Sequence, residues 1–302
     1  MWFKNLLIYR LSQPFTLTPE QLHEALRERV TRACGSLEMS TIGWAPPLGR
    51  DAELLTHAVA ACTMVCARRE ERVLPTAVVR EHFAQRVAEI EEAEGRKVRR
   101  REQMELKENI LTELMPRAFT RASSTYAYID GEHGWLVVDV ASAKRAEELI
   151  TLLRETLGSF PLKPLEVAQS PASVMTAWLA GRPAREFQIQ DECELRDTVE
   201  EGGVVRCRRQ DLAGGEIQAH LEAGKQVARL AVEWHERLAL VLTEELAIKR
   251  LRFLDVILEE AAEAEAEDAA TCFDVDFALM SLELGRFIPR LIDTFGGIAE
   301  EG

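Results

Sequence analysis

Residues 76–115 carry an apolar period typical of helices, and a proline bounds the stretch on each side. Gly95 interrupts the period near its middle, so the stretch predicts two helices joined by a turn. A helix of 19 residues before that glycine would be about 28 Å long at 1.5 Å per residue. The turn would therefore lie far from any globular core. The residues at helical spacing are Val79, Phe83, Val87 and Ile90 before Gly95, and Leu106, Ile110 and Leu114 after it.

The segments on either side of this helical hairpin, residues 1–75 and 122–169, both combine strands with one helix. In the first, a strand-like start is followed by a helix and then by two more strand-like runs. In the second, two strands turn across Gly131 to Gly134, and a later helix ends at Gly158. Together the two segments predict a layered α+β centre with antiparallel sheets.

Residues 170–302 open with a helical run and continue with a series of strand-like segments typical of an antiparallel sheet. An acidic helix near 255–267 and an amphipathic helix in FALMSLELGRFIPRLIDTF complete the chain. We therefore expect an α+β fold with a protruding helical hairpin, and three parts. These are a centre of residues 1–75 and 122–169, a hairpin tip of residues 76–121, and a base, a second α+β domain from residue 170 whose last helices could pack back on the centre.

Charge is spread unevenly along the sequence. The formal net charge is -14, and the 13 acidic and two basic residues from Asp255 onward account for -11 of it. In contrast, GRKVRRREQM places five cations within the six positions from Arg96 to Arg101. Phosphates respond to the field within about one Debye length, roughly 8 to 10 Å, rather than to the total charge. An acidic protein can therefore still present a phosphate-binding surface.

Three interpretations of this basic run stay open: a phosphate-binding surface, a solvated hairpin tip, or a contact with a membrane surface. Lys and Arg bind phosphodiesters by charge, so phosphate binding would be independent of DNA sequence and sensitive to salt. Further cations flank Phe119 in PRAFTR and occur along VVRCRRQDL. On a strand, Arg206 and Arg208 would share one face, with Cys207 on the other. The candidate DNA-binding residues are Arg96, Lys97, Arg99, Arg100, Arg101, Arg117, Arg121, Arg206, Arg208 and Arg209.

Phe119 follows the end of the helical hairpin in a polar and basic setting. Its ring either folds back under the hairpin or is exposed as a contact for a partner subunit. The sequence leaves both alternatives open.

The sequence lacks the motifs of common enzymes. It has no G-x-x-x-x-G-K-[ST] loop, no H-E-x-x-H zinc site and no G-x-S-x-G nucleophile turn. Its six cysteines match no zinc or redox spacing, so we expect reduced, mostly buried thiols. If FDVDF is a strand, Asp274 and Asp276 share a face and could converge on a metal ion. We expect no catalytic residue, metal or cofactor, with a metal-dependent nuclease using these two carboxylates as the alternative.

No stretch approaches the roughly 18 consecutive apolar residues of a membrane span. The start, MWFKNLLIYRL, lacks the basic region and the cleavage site of a signal peptide. We therefore expect a cytoplasmic protein with no membrane partner.

A series of sequence blocks, in order over essentially the full chain, carries a resemblance to a known family. The blocks are WFKNLLIYRL, CGSLEMSTIGWAPPLG, CARREERVLP, LMPRAFTR, DVASAKRAEELITLLRETLGS, GGVVRCRRQDL, HLEAGKQVARLAVEW and FDVDFALMSLELG. Together they resemble the recombination-associated protein RdgC family of proteobacteria. Because so many blocks occur in order, the resemblance is more specific than any single short motif.

The resemblance implies a non-enzymatic DNA-binding protein that forms a head-to-head, tail-to-tail homodimeric ring. The positively lined hole of such a ring admits duplex DNA, and single-stranded DNA binds less tightly, in both cases without sequence preference. Proteins of the family are associated with the nucleoid and restrain the RecA recombinase by limiting its access to DNA. The resemblance places Phe119 at or near the dimer contact of the hairpin tip, and Gln210 in the other dimer contact. A protein-interaction adaptor that works through its acidic tail stays open as a third function.

Overall fold

A computed structural model describes residues 1–199, 202–264 and 268–299. Within these ranges the chain forms one antiparallel sheet of twelve strands and eight α-helices. The strands are β1 (Leu6–Leu11), β2 (Ser40–Ala45), β3 (Thr56–Val59), β4 (Cys62–Val73), β5 (Phe119–Asp130), β6 (Trp135–Asp139), β7 (Leu162–Pro164), β8 (Phe187–Arg196), β9 (Val204–Arg208), β10 (Gln226–Trp234), β11 (Leu238–Thr243) and β12 (Ile248–Phe253). The helices are α1 (Pro19–Leu26), α2 (Thr76–Glu94), α3 (Arg100–Leu114), α4 (Ala143–Leu157), α5 (Pro171–Leu179), α6 (Gly215–Glu222), α7 (Asp255–Glu263) and α8 (Ala269–Thr294).

The strand order is β2-β4-β5-β6-β1-β12-β11-β10-β8-β9, with β3 paired to β4 and β7 paired to β1. The first strand of the chain lies in the middle of the sheet. Its residue Leu6 pairs with Asp139 of β6 on one side and with Ile248 of β12 on the other. The predicted α+β class with antiparallel pairing is thus confirmed, and one sheet runs through both α+β segments. The division into centre, tip and base stays a prediction.

Helices cover opposite faces of the sheet at different places. Alternate residues of β4 show this, because successive side chains of a strand point to opposite faces. Met64 belongs to one hydrophobic core, which includes residues of α5, α7 and α8. Val65 belongs to a second core, which is closed by α1 and α4. The two cores therefore lie back to back across the sheet.

The last helix, α8, begins eight residues earlier than the sequence pattern predicted, at Ala269 instead of Phe277. Its buried stripe includes Phe277, Met280, Leu284 and Phe287, at the spacing of one helix face. FDVDF therefore belongs to a helix and not to the strand that the nuclease alternative requires. The alternation of apolar and acidic residues in FDVDF fits a strand, but the helical spacing of apolar residues that continues after it favours the helix.

The predicted helical hairpin is present, as α2 and α3. Gly95 ends α2 in a left-handed conformation with φ of 64°, which glycine adopts without a steric cost. Few hairpin side chains are buried: Val79 and Ile110 on the helices and Val98 in the turn between them. The two helices pack mainly on each other, so the hairpin keeps most of its surface exposed.

Arg72, near the end of β4, binds the base of the hairpin. Its Nη1 donates to the carbonyl oxygens of Met115 at 2.8 Å and Ala118 at 3.3 Å, and its Nη2 donates to that of Gly35 at 3.0 Å. One guanidinium thus ties the turn after α3 to the loop before β2. Since a carbonyl group accepts these bonds in a fixed direction, Arg72 helps to set the direction in which the hairpin leaves the sheet.

Two leucines of α8 provide a matched test of the core. Leu284 is fully buried and Leu282 is 53% exposed on the same helix. Leu284→Ala should lower the free energy of unfolding by about 2 to 5 kcal/mol, because it removes buried methyl groups and leaves a cavity. Leu282→Ala should change that free energy by less than about 0.5 kcal/mol. Urea denaturation measures both, and equal losses would contradict this packing.

Candidate nucleic-acid interface

The hairpin tip concentrates arginines at the start of a helix. Arg99 is the N-cap residue of α3, and Arg100 and Arg101 begin its first turn. The partial positive charge of a helix N-terminus disfavours cations there, so these residues do not stabilise the helix by their charge. Glu102 offsets part of this charge and accepts a hydrogen bond from the Arg99 backbone N–H at 3.3 Å. The arrangement therefore favours the binding of an anion from outside the helix.

Two of the five tip cations are neutralised by carboxylates of the hairpin itself. Arg96 lies 2.5 Å from Glu94 and 2.8 Å from Glu102, and its hydrogen bonds lower the pKa of Glu102 to about 2. Arg101 lies 3.2 Å from Glu105, one turn further along α3. In contrast, the side chains of three tip residues form no ion pair within the described part of the chain. These are Lys97, Arg99 and Arg100.

At the base of the hairpin, Arg121 and Phe119 occupy the start of β5. Arg121 faces Glu71 on β4 and donates to its carboxylate, which lowers the pKa of Glu71. Phe119 is 87% exposed and stands opposite Val73, which is 42% exposed. The phenyl ring is exposed and does not fold back under the hairpin, while its contact with a partner subunit stays a prediction. Arg117, two residues before it, is exposed and forms no ion pair among the described residues.

Strand β9 shows the predicted alternation, with Arg206 and Arg208 exposed and Cys207 buried between them. Both arginines are paired, however. Arg206 lies 2.8 Å from Glu194 and Arg208 lies 3.5 Å from Glu192, both on the neighbouring strand β8. Each glutamate also pairs with a second arginine, Arg196 for Glu194 and Arg250 for Glu192, so only part of the positive charge here is neutralised.

Glu194 is the centre of this network and is only 4% exposed. Burial raises the pKa of its carboxyl, but hydrogen bonds from Arg206 and Arg196 outweigh burial, so the pKa is lowered. A buried carboxylate of this kind keeps its arginines close, because leaving it unpaired would cost several kcal/mol, on the order of 3 to 5.

The turn after β9 holds Arg209 and Gln210. Arg209 has a left-handed backbone with φ of 53° and forms no ion pair among the described residues. Gln210 donates from its side chain to Glu216 at 2.9 Å. It also lines an open cavity of about 440 Å³, together with Trp178 and Leu212.

The ten candidate DNA-binding residues do not converge on one site. In the sheet, β5 and β9 are separated by seven strand spacings, roughly 34 Å at about 4.8 Å each. One group therefore lies at the hairpin and its base, and the other lies at the far edge of the sheet. Half of the ten are held in ion pairs; those that are not are Lys97, Arg99, Arg100, Arg117 and Arg209.

Comparisons with known proteins show the family of this chain. A family model described as "Putative exonuclease, RdgC" matches residues 1–298. The chain belongs to the RdgC family. It is 46% identical over 299 residues to the recombination-associated protein RdgC of Pseudomonas aeruginosa, strain PAO1, with 98% of each chain covered. The corresponding proteins of Aeromonas hydrophila and Tolumonas auensis are 44% and 43% identical over 298 residues. These alignments cover 98% of this chain, and 98% and 99% of the relatives.

The RdgC family model carries the word exonuclease, which directs attention to the acidic pair Asp274 and Asp276. Both residues lie on α8, where positions two apart point in directions about 200° apart. Asp274 lies 3.2 Å from His57 Nε2, and Asp276 pairs with the amine of Met1. The two carboxylates therefore do not share one face, as the nuclease alternative would require. The described residues contain no group of three or more His, Cys, Asp or Glu side chains that could hold a metal ion.

Among the described residues, no helix of this RdgC family member has the length and apolar character required to cross a membrane.

The Arg96–Glu102 pair predicts a pH dependence of the tip. Because the folded-state pKa of Glu102 is lowered to about 2, the stabilising pair is present at neutral pH. It is lost only as the pH falls through that value. A side-chain carboxyl NMR titration should give a midpoint near 2 for Glu102, and Arg96→Ala should return the midpoint toward the ordinary Glu value. An ordinary midpoint in the unchanged protein would contradict the pairing.

Proposed function

We propose that this protein is a non-enzymatic, sequence-independent DNA-binding protein that closes around duplex DNA as a homodimeric ring. In this proposal it modulates homologous recombination by limiting the access of RecA to DNA, and it is associated with the nucleoid. Its relatives are called recombination-associated proteins. The single observation that carries the DNA-binding part is a set of hairpin-tip cations that form no ion pair among the described residues, Lys97, Arg99 and Arg100.

The chemistry of these cations suits a phosphate backbone. They are held by short helix-terminal and turn segments, and the positive end of α3 adds to their field. Arginine and lysine bind phosphates without reading bases, so affinity would be similar for every DNA sequence. Single-stranded DNA has a lower charge density and would bind less tightly. Acidic residues elsewhere in the chain would limit DNA to this surface.

Two separate surfaces per chain, each suited to a contact with a second copy, support a ring. Phe119 is an exposed aromatic at the base of the hairpin, and Gln210 lies beside an open cavity at the other end of the sheet. A head-to-head contact at one and a tail-to-tail contact at the other would close two chains when both contacts share one two-fold axis. The space between the contacts would then be the hole, and enclosure would slow the escape of DNA.

Neutralising the unpaired tip cations tests the DNA-binding part of the proposal. The triple variant Lys97→Ala, Arg99→Ala, Arg100→Ala should lower the slope of log affinity against log salt by about 0.9 for each phosphate contact that is lost. Three contacts give a reduction of about 3, measured by fluorescence anisotropy with labelled duplex between 50 and 200 mM salt.

The matched control removes the same charge elsewhere, with Arg27→Ala, Arg154→Ala and Arg286→Ala, which are exposed and paired with glutamates. Its slope should stay that of the unchanged protein, and equal slopes for both triple variants would contradict a tip contact. The same samples are incubated with Mg²⁺ or Mn²⁺. Shortened DNA would contradict the non-enzymatic part and favour the nuclease.

A Phe119 variant tests the proposed homodimeric ring. Phe119→Ala should change the free energy of unfolding of the subunit by less than about 0.5 kcal/mol, because the phenyl side chain is almost fully exposed. It should nevertheless weaken dimer formation by 10-fold or more, since an aromatic hot spot contributes roughly 2 kcal/mol or more. Sedimentation equilibrium measures this. Met104→Ala, at a hairpin residue that is 63% exposed, is the matched control. Unchanged dimer affinity in Phe119→Ala would remove this contact from the proposal.

A further inference from the structure

A groove of about 360 Å³ opens on the face of β4 and β5 near the edge of the sheet. Its floor comes from paired residues of the two strands: Cys66 stands opposite Tyr126, and Arg68 stands opposite Ser124. The loop that contains Arg50 forms part of its wall. The lining of the groove combines charged and hydroxyl side chains with apolar ones, and Tyr126 also packs against the first hydrophobic core.

The groove holds more positive charge than its own residues neutralise. Arg68 is half-buried and Arg50 is exposed, and neither forms an ion pair among the described residues. A third arginine, Arg32, is held by Glu38 through two hydrogen bonds of 2.6 Å. The groove carboxylate, Glu70, accepts the backbone N–H of Cys34 at 3.0 Å. With Glu38 counted, three guanidinium groups stand against two carboxylates, so one positive charge is left for an external anion.

The half-buried position of Arg68 strengthens this point. A cation that loses water without gaining a counterion raises the free energy of the folded state, so such a site favours an anionic ligand. The side chains beside it are hydrogen-bonding groups. The hydroxyl groups of Ser124 and Tyr126 interact with each other and with Cys66, and the half-buried Tyr126 offers part of its ring. Arg68 also acts on Tyr126 electrostatically: burial raises the pKa of the phenol, and the guanidinium opposes this.

We propose that this groove binds one nucleotide of a single-stranded nucleic acid, with its phosphate on Arg68 and Arg50 and its sugar or base against Tyr126. This inference rests on the proposed DNA-binding function and assigns a separate subsite to single strands. Arginine for the backbone and an aromatic for the base is the usual combination in single-strand binding. The volume lies at the lower end of the range of about 300 to 1,000 Å³ for small-molecule pockets. It therefore suits one nucleotide and excludes a duplex.

The groove is distinct from the hairpin tip. From Arg68 to the end of β4 at Val73 the strand runs five residues, roughly 17 Å at about 3.4 Å each. The tip is a further 28 Å or so along α2. Variants of the groove and of the tip can therefore be compared with little direct coupling between them.

The test uses the double variant Arg50→Ala, Arg68→Ala and a labelled single-stranded thymidine oligonucleotide. Single-strand affinity should fall at least 10-fold, and its salt slope should fall by about 1.4, since each phosphate contact to a single strand contributes roughly 0.7. Affinity for a duplex of the same length should change less than 3-fold. The matched control is Arg27→Ala, Arg154→Ala, which removes the same charge from exposed ion pairs. Arg50→Ala alone alters only an exposed loop residue, and it should give a smaller loss in the same direction.

Several results would overturn the inference. Equal single-strand affinities for the groove variant and its control would do so. A second contradicting result combines two measurements. In it, inorganic phosphate shifts the NMR signals of Tyr126 and Ser124, but the groove variant keeps its oligonucleotide affinity. The groove would then bind only small anions. If the groove variant behaves like its control and the tip variant loses duplex affinity, the groove inference fails and the proposed function stands. If the unchanged protein binds no DNA, the proposed function fails as well.

Discussion

The pairing of β1 on both of its edges holds the molecule together. On one edge it pairs with β6 over five residues, and on the other it meets β12 at Leu6 and Ile248. The contact with β12 is short, and hydrogen bonds to the residues just before β1 extend the junction on both edges. Asp139 accepts the backbone N–H groups of Lys4 and Asn5, each at 2.9 Å. The Lys4 carbonyl in turn accepts the N–H of Leu251 at 2.8 Å. Without this junction, the sheet would divide into two.

Helix α8 secures the same junction from one face. Phe277 packs on Tyr128 of β5 with ring centroids 5.9 Å apart, and Phe287 packs on Trp234 of β10 with centroids 5.2 Å apart. The two phenylalanines are ten residues apart, so about 15 Å of helix spans the join. Since α1 and α4 cover the opposite face only beside β4 to β6, other parts of the sheet stay uncovered. The charged network around Glu194 occupies such an uncovered part, whereas the groove at Arg68 lies on the face of β4 that also carries Met64.

Local signals in the sequence were sufficient for the elements that local chemistry controls. Gly95 marks the hairpin turn, Gly134 closes the β5–β6 turn with φ of 74°, and Gly158 ends α4 with φ of 73°. Elements that depend on partners far along the chain were missed. The four-residue strand β3 carries little pattern of its own and is defined by pairing with β4. The short helix α6 was also missed, because it buries a single residue, Ile217.

The same distinction applies to the candidate site. The basic run and the exposed Phe119 lie where the hairpin pattern placed them. However, the neutralisation of Arg206 depends on its register with Glu194, twelve positions earlier in the chain. Likewise, Arg68 was visible in the sequence as a cation, but its groove is formed by β4, β5 and two loops together. The charged side chains can be counted from the sequence, whereas their pairing in the fold determines which of them remain available for a ligand.

The most direct test of the proposed ring is the retention of protein on covalently closed circular duplex compared with the same duplex made linear. After loading at low salt and transfer to high salt, the ring should stay on the circles and leave the linear molecules through their ends. Cutting the circles with a restriction enzyme should then release the retained protein. Equal dissociation from circular and linear DNA would contradict topological enclosure and leave an open, groove-like mode of binding.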